Sequence, residues 1–172
     1  MATSTGEQLA AGIREKIAEL KKVCEGVDEG TAARAPAGRW SPKEILSHLL
    51  GPEEKGHLPA LRLFLDQDTP MIGLDPGNPH FTAKRARMTF RELFSEAEKE
   101  YERVCGFVEG LSAEQLGRKA HVPVLKDSPF GEYPTLEGWI IGILDDHIQF
   151  HTGHLREILQ QLGTPPPPQP AG

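Results

Sequence analysis

Four stretches of this sequence return an apolar residue every three or four positions with charged residues between, which commits the chain to amphipathic helices. The first runs from Gln8 to about Val27 on Leu9, Ile13, Ile17, Leu20, Cys24 and Val27. The second opens at Ser41-Pro42-Lys43-Glu44, where a capping serine, a proline at the first helical position and a glutamate three residues on form a start signal. It carries Ile45, His48 and Leu49. Gly51-Pro52 must interrupt it, because proline lacks the amide proton and clashes with the preceding turn. A kink or restart is expected there, with Leu58, Leu61 and Leu65 continuing to about Asp66. The third stripe starts between Thr82 and Thr89 and runs from Phe90 through Leu93, Ala97, Tyr101, Val104 and Cys105 to Leu111. Thr89 and Glu92 could form a second capping box, and Ser112-Ala113-Glu114-Gln115 caps a short extra helix. The fourth stripe runs from about Thr135 to Leu162 on Leu136, Ile140, Leu144, His147, His151, Leu155, Ile158 and Leu162, and stops at Gly163.

The connections divide the chain as clearly as the stripes do. Residues 67–81 hold three prolines and two glycines, and residues 118–134 hold Pro123, Pro129 and Pro134. Connections this long are expected to wall a pocket or to be disordered. The second contains the only stretch with strand character, around His121 to Leu125. Four long helices with two long connections make an all-α fold, a four-helix bundle over residues 1–163, and bundle cores are where such folds build their sites. Residues 164–172, with Pro165-Pro166-Pro167-Pro168-Gln169-Pro170, form an extended, solvated tail.

Composition removes several function classes. The net charge of −6 leaves no basic footprint for nucleic acid or an anionic membrane. No apolar run approaches the roughly 18–20 residues that span a bilayer. The first residues lack the basic start and apolar stretch of a secretory signal, and two cysteines are too few for a small disulfide scaffold. A soluble cytoplasmic single domain is the expectation.

Three of the seven histidines fall within eight residues, His147, His151 and His154. Four residues apart on a helix, His147 and His151 stand one above the other about 6 Å along the axis, on the apolar and therefore inward stripe. His48 occupies the corresponding stripe of the second helix. Together they offer three neutral nitrogen donors and leave a coordination position that a water or a substrate thiolate could fill, the alternative being satisfied core histidines that bind no metal. His154 lies roughly 10 Å along the axis from His147, so a straight helix assigns it to the pocket lining or to support of a ligand. His57, His80 and His121 sit near prolines and are expected at the surface.

Trp40-Ser41-Pro42-Lys43-Glu44-Ile45-Leu46-Ser47-His48-Leu49 and His147-Ile148-Gln149-Phe150-His151-Thr152-Gly153-His154-Leu155 resemble the second-helix and last-helix motifs of the DinB/YfiT-like family, at the family's separation of about a hundred residues. The resemblance implies a four-helix bundle, often a homodimer, with one divalent ion, zinc or nickel, on His48, His147 and His151. It departs from the family at His154, where glutamine is more usual, and at Gly51-Pro52 just beyond the first ligand. The resemblance further implies a thiol S-transferase, in which the metal activates a low-molecular-weight thiol for attack on an electrophilic small molecule. A metal-dependent hydrolase on the same histidines, or a non-catalytic metal-binding protein of stress response or interaction, are the alternatives.

Other residues are read more plainly. Arg156 could hold an anionic substrate or thiol cofactor, or be an exposed residue favouring the helix dipole. Glu53, Glu54, Asp145 and Asp146 flank the ligands as candidate bases, with a solvated helix edge the expectation for the aspartates. Trp40 is expected to plug the bundle end, and Cys24 and Cys105 to act as small core residues. No catalytic residue beyond the ligands is singled out.

Overall fold

A computed structural model of the chain describes residues 4–163; the proline-rich tail expected from 164 onward lies outside the described residues. The elements in order are α1 (Gly6–Cys24), α2 (Glu29–Ala32), α3 (Pro42–Leu50), α4 (Leu58–Asp66), α5 (Ala83–Arg87), α6 (Phe90–Val108), α7 (Ala113–Leu116), α8 (Leu136–Trp139) and α9 (Asp146–Gln161). A wider, π-type segment, Ile140–Asp145, joins α8 to α9 without a break.

The helices begin where side chains satisfy their free amides. Ser41 Oγ accepts from the Glu44 amide at 3.2 Å while Glu44 Oε1 accepts from the Ser41 amide at 3.1 Å. Thr89 with Glu92 and Ser112 with Gln115 repeat the device. The second stripe restarts rather than kinks. Gly51 ends α3 at φ 75°, a conformation favouring glycine, and α4 takes up the stripe at Leu58. One freed carbonyl at the end of α3 is met by two side chains: the Tyr101 hydroxyl donates to Leu49 O at 2.9 Å, and His57 Nε2 lies 2.7 Å from the same oxygen.

Helix α1 packs against α6 and α9, and α3 packs against the same two, so α1 and α3 lie across the bundle from each other. Ile13, Leu20, Ile45, Leu49, Leu93, Val104, Leu155 and Ile158 are fully enclosed between them. Each contributes about 1.5–3 kcal/mol of burial. The consequence for function is the α3–α9 contact, which brings the histidine of one stripe to the histidines of another.

Three expectations are corrected. The fourth helix is not uniformly α-helical: the Asp146 amide donates to Ile141 O, five residues back. The widened segment contains Gly142, where the Phe130 ring packs so closely that a Cβ would collide with it. The strand around His121 to Leu125 reduces to isolated bridges, Met71 with His121 and Lys119 with Thr135, followed by a single tight turn at Pro123–Leu125. His57, His80 and His121 are half-buried rather than exposed, with His57 packed on Tyr101 and His121 stacked on Tyr133.

Candidate metal centre

Helix α3 delivers His48 to the interior with a relative exposure of 7%, and α9 delivers His151 at 6% with His147 half-buried one turn earlier. One ligand nitrogen from each ring lies within 4.8 Å of the others. His48 Nε2 and His147 Nε2 are 2.9 Å apart. These separations bracket the roughly 3.4 Å between nitrogens that a tetrahedral ion with bonds of about 2.0–2.1 Å requires.

The protonation of His48 is set by its other nitrogen. His48 Nδ1 lies 2.8 Å from the Asn78 carbonyl, an acceptor only, so Nδ1 carries the proton and Nε2 presents a lone pair. His147 then has no satisfactory tautomer of its own. Its Nδ1 is buried with no hydrogen-bond partner among the described residues. If Nε2 donates to His48, that Nδ1 is an unpaired acceptor; if Nδ1 carries the proton, two lone pairs meet at 2.9 Å. A cation among the three rings relieves that opposition, so the residues present fit a divalent ion.

Burial also keeps the donors neutral, as metal ligation requires. Desolvation, reinforced by the neighbouring imidazoles, pushes His147 down to about 3 and His151 down to about 2, and desolvation lowers His48 as well. His151 Nδ1 is 3.3 Å from His154 Nδ1, which joins the fourth histidine to the cluster from outside.

A cleft of about 530 Å³ reaches His151 between the 38–40 segment and α9, lined by Arg39, Trp40, Phe150, His154 and Glu157. Trp40 packs half-buried against the core, as expected, and also faces the histidines. Its ring centroid lies 4.8 Å from that of His48 and 6.2 Å from that of His151, making it a wall of the cleft. Arg39 Nη1 donates to Glu157 at 2.6 Å across the cleft's rim. The exposed Arg156 does not line this cleft; it stands about 200° around the helix from His154. The cation here is Arg39, which sequence reasoning missed, as it missed Asn78 and Phe150.

The flanking acids point elsewhere. Asp145 lies 3.4 Å from Lys16, Glu53 lies 3.7 Å from Lys84, and Asp146 and Glu54 are exposed. Cys24 and Cys105 behave as core residues, with burial pushing their thiols up to about 12 and about 11. Of the long connections, 67–81 does reach the centre through Asn78, whereas 118–134 pairs with residues 70–72 and with the start of α8.

The sequence profile of the DinB superfamily matches residues 13–161, a span that contains all three histidines and every helix that positions them. The chain belongs to the DinB superfamily. Among solved structures, this DinB chain is similar to YfiT from Bacillus subtilis, described as a probable metal-dependent hydrolase with an unusual four-helix bundle topology. The two share 18% identity with a TM-score of 0.75, over 95% of this DinB chain and 90% of the other. At that identity the likeness is one of fold, and the all-helical bundle agrees with it. No match was found among the curated proteins.

Proposed function

We propose that this protein is a divalent-metal-dependent enzyme, with the ion on His48, His147 and His151, that joins a small thiol to an electrophilic small molecule entering by the Trp40–Phe150 cleft. The observation that carries the reading is the donor set: three neutral imidazoles, two buried and one half-buried, on two packed helices beside a cleft open to small molecules. When bound, a zinc or nickel ion in such a site favours the deprotonated form of a thiol or water in its open position.

The chain's own groups orient the donors and shape the cleft. Asn78 holds His48 in the tautomer that donates Nε2, and the α3–α9 contact fixes the rings against one another. Trp40 and the exposed Phe150 give the cleft apolar walls, and Arg39 with Glu157 supplies paired charges for the polar ends of a thiol or its partner. In the reaction a sulfur–carbon bond forms, the bond from that carbon to its leaving group breaks, and the thiol proton departs with the leaving group. Asp145 and Glu53, which flank the ligands, are engaged with lysines, and Glu157 at the cleft is paired with Arg39, which favours the more acidic thiol over water as the nucleophile.

Hydrolysis is the second reading, favoured by the description of YfiT and by His154 at the cleft. The discriminating experiment assays metal-loaded protein against activated esters, amides and alkyl halides, with and without millimolar thiol. Turnover that requires thiol and is lost on chelation supports transfer. Chelator-sensitive turnover independent of thiol replaces it with hydrolysis. Metal binding without turnover under either condition removes the enzymatic reading.

A further inference from the structure

Arg85, on α5, is buried to a relative exposure of 6%, yet it lies within 4.0 Å of no carboxylate among the described residues. One nitrogen is committed to backbone: Nη1 donates to Gly51 O at 2.6 Å and lies 3.1 Å from both Ser47 O and His80 O. Nε and Nη2 make no hydrogen bond within the described residues. The side chain is held by its Nη1 contacts, while the free edge is not sealed in the interior: it faces a cleft and stays open to an anion. The same edge geometry matches a carboxylate or phosphate, which an arginine receives through two parallel hydrogen bonds.

Arg85 lines a second cleft of about 560 Å³, separate from the histidines, between the 50–62 segment, α5 and α6. Four more cations line it, Lys55, Arg62, Lys84 and Arg103, against four carboxylates. Most of the carboxylates are engaged. Glu100 accepts from the His57 amide and from Arg103, Glu53 faces Lys84 at 3.7 Å, and Glu96 faces Lys99 at 3.8 Å. The exposed Glu54 is the exception, and the cations exceed the acids by one. Among the described residues Lys84 and Arg103 are ion-paired while Lys55, Arg62 and Arg85 are not, and Arg85 is the buried one of those three.

We propose that this cleft is an anion-binding site, in which Arg85 receives the carboxylate or phosphate group of a small molecule and Arg62 and Lys84 close around it. It goes beyond the metal-centred reading and does not depend on it. Arg85 also secures the carbonyls of Ser47 and Gly51 at the end of α3, so an occupant would sit by the C-terminal end of the helix that carries His48.

The test titrates the full chain with inorganic phosphate and, separately, with succinate, at constant ionic strength made up with chloride. Arginine Nε–H signals are followed by nitrogen–proton NMR, and thermal midpoints in parallel. The expected result is saturable movement of one Nε–H signal, absent from R85K, with affinity at least tenfold weaker in the Arg62→Gln/Lys84→Gln variant. Both replaced residues are exposed, so that variant folds even if R85K does not. Saturation by phosphate but not succinate assigns a phosphate ligand, and the reverse a carboxylate. A response no larger than chloride's overturns the proposal. So does undiminished affinity in the double variant, or loss of binding on Arg39→Gln, which would put the anion in the histidine cleft.

Discussion

His48 and Asn78, thirty residues apart, are joined by a 2.8 Å contact between an imidazole Nδ1 and a backbone carbonyl, and that contact decides which nitrogen His48 turns toward His147. The Asn78 side chain fixes the carbonyl's position: its Nδ2 donates to Asp75 at 3.1 Å and its Oδ1 accepts from the His80 amide at 2.8 Å.

Asn78→Ala removes both anchors and keeps the backbone carbonyl itself, now free to shift. Loss of such outer support typically weakens metal affinity 10- to 100-fold. We expect about tenfold here, with helical content unchanged, measured by competition with a chromophoric chelator. Wild-type affinity in the variant would mean that the 67–81 segment orients nothing.

The depressed histidines make a pH prediction for the metal-free protein. His147 and His151 titrate near 3 and near 2 when folded, against about 6.5 unfolded, so below pH 6.5 the unfolded chain binds more protons. Stability is therefore fully present above pH 6.5 and falls as pH drops toward the folded values, by up to about 1.4 kcal/mol per pH unit for each histidine. Urea midpoints between pH 7.5 and 4.5 should decline more steeply in the wild type than in a His147→Gln/His151→Gln variant. Parallel declines would show that the histidines are not desolvated as described.

Trp40 offers an optical report, since its ring centroid lies 4.8 Å from that of His48 while Trp139 packs on Phe64 in the core. Nickel binding should quench tryptophan emission in the wild type and in Trp139→Phe. Trp40→Phe should lose that response. Equal quenching in both variants would place the ion away from the Trp40–His48 contact.

Legibility divided along a physical line. Helical periodicity is local, so the stripes bearing His48, His147 and His151, the caps at Ser41 and Thr89 and the break at Gly51-Pro52 could all be read from residue types. The bundle then brings those histidines together. Asn78 could not be read, because it acts through a carbonyl that every residue possesses. Trp40 and Arg39 lie before the cap of α3, where the chain's direction is set by packing against α9 and not by a period. Arg156 misled because its type fits an anion while its angular position on α9 faces away. The widened turn at Ile140–Asp145 accompanies the non-local insertion of Phe130 at Gly142, and no short pattern encodes that.

The central claim is that three helical histidines hold one divalent ion. Metal content by elemental analysis tests it most directly, on protein purified without a metal-affinity tag, incubated with zinc or nickel, desalted, and compared with His48→Ala. The account predicts about one ion per wild-type chain and none retained by the variant, with helical content the same in both. No metal in the wild type, or equal metal in the two, would contradict it and return His48, His147 and His151 to the packing of the bundle core.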